Sequence, residues 1–198
     1  MKEQVTSEHS PLTKAAVFLK AIAPRKILRV FRPDCCVAAT RIGVAFMSRL
    51  GFNAHAQPTM MTVFTNNLWQ RVENQTFDGQ FRPGEWSVAI GYGTDNPRPD
   101  GIDMHLVTMA SDDTDEIFLI DLSFGQASRP QRGLTLPPSL AVRMDWDWPV
   151  NVITDNWTAR YKPMDNLDYL RGPDWTEPER TEPIIESLLR EYHAQGIP

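Results

Sequence analysis

Apolar residues recur at helical spacing in the first fifty positions and at strand spacing after them. Val17 with Ala21 and Phe18 with Ile22 stand four apart, which puts each pair on one helix face. The helix they predict covers residues 11–23, with Ser10 as its cap, Pro11 at its first position and Pro24 as its end. Residues 26–31 follow as a short basic and apolar link, and Pro33 interrupts the chain again. A second helix is predicted over residues 36–50, with Asp34 as its cap and Gly51 in the left-handed position past its end. Its polar residues are few (Thr40, Arg41, Ser48, Arg49), so it reads as a central helix covered on several sides.

Beyond Gly51 the residues suit a pleated surface. Residues 52–65, containing MMTVFT, predict a strand, and the polar stretch 66–85 predicts mostly loop. A strand over 86–92 leads to the loop 94–101 (TDNPRPDG). Residues 104–110 and 116–122 form a predicted hairpin around the acidic tip SDDTD. Two further strands are predicted over 140–146 and 157–162, then an irregular proline-rich stretch over 163–181. An amphipathic helix over 181–194, capped by Thr181 with Pro183 in its first turn, closes the chain. Helices followed by antiparallel strands predict an α+β domain: a central helix packed on an antiparallel sheet or partial barrel, with a C-terminal helix. The expected organisation is a polar, frayed N-terminus over 1–10, a catalytic body over 11–162, and a segment over 163–198 packed on that body.

Composition narrows the classes. The chain has 198 residues, 41% hydrophobic and 23% charged. That is ordinary for a globular protein and excludes a wholly disordered one. The acid excess, 25 Asp and Glu against 20 Lys and Arg, argues against electrostatic binding to nucleic acid. No apolar stretch approaches the roughly 20 residues of a membrane span, and no secretory signal follows the start, so a cytoplasmic location without membrane association is expected. The two cysteines, Cys35 and Cys36, are adjacent, which excludes a disulfide scaffold. The four histidines are scattered, and no spacing reads as a metal site.

Cys36 opens the central helix, where unpaired backbone N–H groups and the helix dipole favour a thiolate and can hold an oxyanion. A buried free cysteine is the bland alternative. The hairpin adds to the picture. If Ala110 faces Glu116 across the SDDTD turn, His105 faces Asp121, on the same side of the sheet and about 5 Å apart at Cβ. Alone, each is an ordinary strand residue. Together, Cys36, His105 and Asp121 form a nucleophile, base and orienter pattern.

The surrounding residues resemble a known superfamily. Cys36 is followed fifteen residues later by Gly51 and then Phe52, and MHLV and FLIDLSFG come later. This resembles the transglutaminase-like branch of papain-fold proteins with a Cys-His-Asp triad, and most of all the arylamine N-acetyltransferases. That family carries R-G-G-x-C, a helix ending in LGF, a strand opening H-x-x-L and a strand ending V-D-V-G-F-G. Here Arg32 stands four residues before Cys36, and Leu122–Gly125 follow Asp121 as LSFG. The resemblance implies that Cys36, His105 and Asp121 are nucleophile, base and orienter. Pro33 and Asp34 replace the family's glycines, and the 69-residue gap from Cys36 to His105 is long. The resemblance covers residues 30–126, which points to a reduced or divergent member rather than a full acetyltransferase.

Other residues carry less. Cys35 lies about 100° round the helix start from Cys36, so it reads as packing or as a thiol that resolves an oxidised Cys36. His55 reads as a core-edge histidine, and His9 and His193 carry no signal. Gly91 and Gly93 mark a strand end rather than a phosphate loop. Arg160 and Lys162 read as solvated strand charges. Trp146, Trp148 and Trp157 read as core, with an aromatic pocket wall as the sharper alternative. The loop 126–138 follows the orienter and is placed to shape a pocket, with Phe124 and Gln126 as candidate substrate-binding residues.

Two function classes follow. One is a cysteine enzyme for acyl transfer or amide hydrolysis on a small-molecule or peptide substrate, needing no resident cofactor, with acetyl-CoA as a candidate acyl donor and Arg129, Arg132 and Arg143 as candidate phosphate contacts. The other is a catalytically inactive papain-fold binding or interaction module, for which the three side chains would stand apart.

Overall fold

The structure is a computed structural model and describes residues 10–32, 34–91, 104–145, 147–165 and 167–196. The N-terminal residues 1–9 with His9, Pro33, Tyr92, Gly93, the predicted loop 94–101 and Trp146 lie outside the described residues.

Helix α1 spans Pro11–Ile27, and the Ser10 side chain accepts the Thr13 N–H at its start. The helix runs one turn past the expected stop. Pro24 lies inside it and leaves the Lys20 carbonyl without its helical donor. The Ser139 hydroxyl supplies that bond from outside the helix, at 2.7 Å, which removes the main penalty for continuing.

Helix α2 spans Cys36–Arg49. Its N-cap residue is Cys35, not Asp34, and the Cys35 side chain makes no capping bond. Its far end closes as expected. Gly51 has φ +89°, the Phe52 N–H reaches the Met47 carbonyl and the Gly51 N–H reaches the Ser48 carbonyl, which is a Schellman closure.

Strand β1 (Asn53–Thr65) is followed by α3 (Asn66–Glu73), where the sequence predicts loop. The helix buries Leu68, Trp69 and the stem of Arg71, and its many polar residues face water, which conceals the apolar stripe. Next come β2 (Ser87–Ile90), β3 (His105–Ser111), β4 (Ile117–Asp121), β5 (Leu140–Met144), β6 (Val150–Ile153) and β7 (Trp157–Pro163). Strand β6 is an addition to the expected set. The stretch read as irregular contains short turns of 3-10 helix over Asp168–Arg171 and Pro178–Arg180 and the short helix α4 (Pro173–Thr176). Helix α5 (Glu182–Ala194) follows Thr181, whose hydroxyl bonds the Pro178 carbonyl instead of capping the helix.

The strands form one antiparallel sheet in the order β5-β4-β3-β1-β7-β6, with β2 also on β1. The long β1 organises it, pairing β3 along its first half and β7 along its second. The molecule is α+β, and the sheet is nearly barrel-shaped. Curvature has a direct signature: the Tyr161 hydroxyl on β7 donates to Asp121 on β4 at 3.0 Å. Strands three places apart in a flat sheet are about 14 Å from each other, too far for that bond.

Two cores flank the sheet. On one face α1, α2 and α5 bury Phe18, Phe46 and Tyr192 in mutual ring contact, together with Ala110, Phe118 and Ile120. On the other, Val107, Met109, Ile117 and Leu119 pack with Tyr161, Ala159 and Phe124. A third, small cluster of Cys36, Val37, Met104, Leu106 and Tyr169 sits where α2 begins and β3 begins. No helix among the described residues is long and apolar enough to cross a membrane.

Candidate active site

Strand alternation assigns the side chains of β3 and β4 to faces. Leu106, Thr108 and Ala110 face α2, while Val107 and Met109 face the second core. His105 is in phase with Val107 and Met109, and Asp121 is in phase with Ile117 and Leu119. The imidazole and the carboxylate therefore belong to the face turned away from the helix that carries Cys36. They meet the thiol because His105 is the first residue of its strand and Cys36 the first of its helix.

Helix α2 is held in that place by two bonds to β3. The Thr40 hydroxyl donates to the Leu106 carbonyl at 2.8 Å, and the Thr108 hydroxyl donates to the Thr40 carbonyl at 3.2 Å. Thr40 is one turn after Cys36, so these bonds anchor the thiol's own turn next to His105.

The hairpin register differs from the expected one. Ala110 faces Phe118, not Glu116. Ser111 and Ile117 close the hairpin, so the turn sits one residue further along the chain at the same length, held by the Asp112 carboxylate, which accepts the N–H groups of Thr114 and Glu116. Asp115 adopts a positive φ of 61 degrees within it. A shift by two keeps every side chain on its face. His105 and Asp121 become diagonal neighbours in place of opposed ones, still within reach of an imidazole. His105 Nε2 lies 2.6 Å from Asp121 Oδ2, and both side chains are fully buried.

Asp121 is also held by the Ser123 N–H at 2.9 Å, the Ser123 hydroxyl at 3.2 Å and the Tyr161 hydroxyl. Burial holds the Tyr161 pKa well above 10.0, and the Asp121 charge adds to that, so Tyr161 stays a donor. Burial presses His105 toward its neutral form. The Asp121 charge and hydrogen bond, with a hydrogen bond to the Cys36 sulfur and its charge, outweigh burial and push its pKa up to about 10.

Asp121 occupies Nε2, the Gln126 amide lies 2.6 Å from Nδ1, and Cys36 hydrogen-bonds to the same ring. With His105 neutral and its proton on Nε2, the amide N–H donates to Nδ1. With His105 charged, Nδ1–H donates, and the amide must turn to present its oxygen. Gln126 is thus a direct reporter of the proton on His105.

Cys36 and Cys35 are 8% and 7% exposed and face different surroundings. Cys36 packs with Val37, Met104, Leu106 and Tyr169, with Trp175 against the same cluster. Cys35 belongs to the helical core, and burial pushes its thiol up to about 12, with the neighbouring Cys36 adding to the shift.

Phe124 is fully buried in the second core against Trp157, so the structure gives it a packing place and no surface toward a cleft. Trp148 and Trp157 pack on that same core. His55 is exposed on β1, and partial burial lowers its pKa. Arg129 donates to the carbonyls of Gln126 and Ser128, fixing the loop after Asp121. Arg143 is exposed on β5 with Glu116 at 3.4 Å. Among the described residues no group of three or more His, Cys, Asp or Glu gathers in a way that could hold a metal ion.

Sequence pattern does not single out Tyr161 or Ser123. Ser123, two residues after Asp121, is legible as a turn-capping partner of a carboxylate. Tyr161 is not, because its contact depends on the curl of the sheet.

Comparison with protein-family models, with curated proteins and with solved structures finds no match to this chain.

Proposed function

We propose that the protein is a cysteine enzyme of acyl transfer or amide hydrolysis, with Cys36 as nucleophile, His105 as acid and base, and Asp121 as orienter. The observation that carries this is the buried chain of contacts Cys36–His105–Asp121, with Nε2 of the ring given to the carboxylate. A fully buried imidazole paired to a carboxylate with three other donors is a costly arrangement for packing alone. A proton-transfer group needs it.

The Cys36 thiolate bonds to the carbonyl carbon of an ester, thioester or amide, and the developing oxyanion meets the free N–H groups at the start of α2. The bond from carbon to the leaving group breaks as His105 passes its Nδ1 proton to that group. An amine or a water then attacks the acyl-enzyme and gives its proton to His105 while the sulfur–carbon bond breaks. Asp121, fixed by Ser123 and Tyr161, keeps the ring oriented throughout. The likeness to transglutaminase-like, papain-fold proteins in residues 30–126 supports the same roles, and a cytoplasmic setting keeps both thiols reduced.

Labelling with a thiol-directed probe tests the assignment. The parent and Cys35→Ala react at the same fast rate, and Cys36→Ala loses the fast label. If Cys36→Ala keeps it and Cys35→Ala loses it, the nucleophile is misassigned. Titration with acetyl-CoA, followed by calorimetry, separates a transferase that uses this donor from a hydrolase.

A further inference from the structure

A pocket of about 230 Å³ adjoins the site on the side of His105 that carries Gln126. Its walls come from Ile27 and Leu28 at the end of α1, Cys35 before α2, and Leu122, Leu136 and Pro138 from the chain that follows Asp121. Among the described residues no aromatic ring and no charged side chain lines it; Ser123, Gln126 and Ser128 are its polar members. Two of its members tie it to the chemistry. Gln126 lies on Nδ1 of His105, and Cys35 is one peptide from the nucleophile. A single trans peptide separates Cα atoms by only about 3.8 Å.

We infer that this pocket binds the acyl chain of the substrate, and that the chain is a straight aliphatic one of about six to eight carbons. The inference rests on the proposed acyl chemistry of Cys36 and names its substrate class. Size sets the length: a dry cavity of about 150 Å³ holds benzene, so this volume holds roughly nine non-hydrogen atoms. The lining sets the character. Aliphatic walls without a cation favour a neutral alkyl chain over a dicarboxylic acyl group, and a wall without rings gives no stacking partner to an aryl group. The alkyl end then lies among Leu28, Leu122 and Leu136, and the carbonyl end points toward Gln126, which lies on His105.

Leu28 is 51% exposed, so it can be replaced without opening the core. Two readouts separate this inference from the chemistry beneath it. The first is binding of acetamide, butanamide, hexanamide and octanamide to the Cys36→Ala protein by calorimetry. Affinity rises about fourfold per added methylene up to the six-to-eight-carbon range. Leu28→Trp, which fills the pocket, abolishes the rise. A chain-length-independent affinity, or a rise that survives Leu28→Trp, overturns the pocket assignment.

The second is the burst of p-nitrophenol from esters of two to eight carbons. The sulfur bonds to the acyl carbon, the bond to p-nitrophenolate breaks, and the rate climbs with chain length in the parent. In Leu28→Trp the loss of rate relative to the parent grows with chain length and reaches at least tenfold for the long esters. Bursts of equal rate at all lengths leave the triad standing and overturn the pocket. Length-dependent amide binding with no burst from any ester does the reverse.

Discussion

Asp121 accepts hydrogen bonds from His105 Nε2, the Ser123 N–H, the Ser123 hydroxyl and the Tyr161 hydroxyl, with its carboxylate wholly removed from water. A buried charge is tolerated when its lone pairs are filled in this way. The same bonds lock the imidazole. Asp121→Asn removes the charge that outweighs burial, so the His105 pKa falls below its usual 6.5. Acylation then slows on the order of 10^4-fold. An NMR titration of His105 checks the first part; a pKa that stays near 10 contradicts the role given to Asp121. Tyr161→Phe keeps the shape and removes one donor, which costs about 1.5–3 kcal/mol in urea unfolding. At this scale much is legible in the sequence. Residue type and spacing bring Cys36, His105 and Asp121 into one pattern, although each alone is ordinary, and place Gln126 in the loop after Asp121. They say nothing of Tyr161, whose partner lies three strands away in the sheet order.

Helix α2 decides whether those residues meet. Gly43 lies against Thr108, where a Cβ would overlap the Thr108 hydroxyl. That close approach lets Thr108 and Thr40 exchange their bonds between helix and strand. Gly43→Ala therefore forces α2 away from β3 and costs about 1–3 kcal/mol of stability. It slows acylation more than binding, since Cys36 moves relative to His105. Equal acylation rates in Gly43→Ala and parent contradict this coupling. Several elements are legible from pattern, and the departures have physical causes. The α2 ending at Gly51 is local chemistry and can be read directly. The course of α1 past Pro24 depends on Ser139, 119 positions away from Lys20, and cannot. The hairpin register differs by two because the turn, held by the Asp112 side chain, sits one residue further along, and His105 and Asp121 still meet because an even shift preserves the face.

The whole molecule brings the site together at a seam. The thiol comes from the helical side of the sheet and the histidine and aspartate from the other, and they meet only where α2 and β3 both begin. The α+β class is legible from the order of periodicities; the curl of the sheet is not, because it is a property of seven strands at once. The raised His105 pKa gives the fold a pH dependence of definite sign. The stabilisation from protonated His105 is complete below about pH 6.5 and disappears as pH rises toward about 10. Cys35, pushed from 9.0 to about 12, has the same sign and adds a second fall above pH 9. The window from about pH 6.5 to pH 9 therefore isolates His105. Urea unfolding across that window shows falling stability in the parent and no fall in Asp121→Asn.

Covalent chemistry at Cys36 driven by His105 is open to a single decisive readout: mass spectrometry of the protein quenched early in its reaction with p-nitrophenyl hexanoate, in the parent and in His105→Ala. One acyl group on Cys36 in the parent, with its appearance slowed at least a hundredfold in His105→Ala, is the predicted result. An acyl group on Cys35, or on Cys36 at equal rates in both proteins, contradicts it.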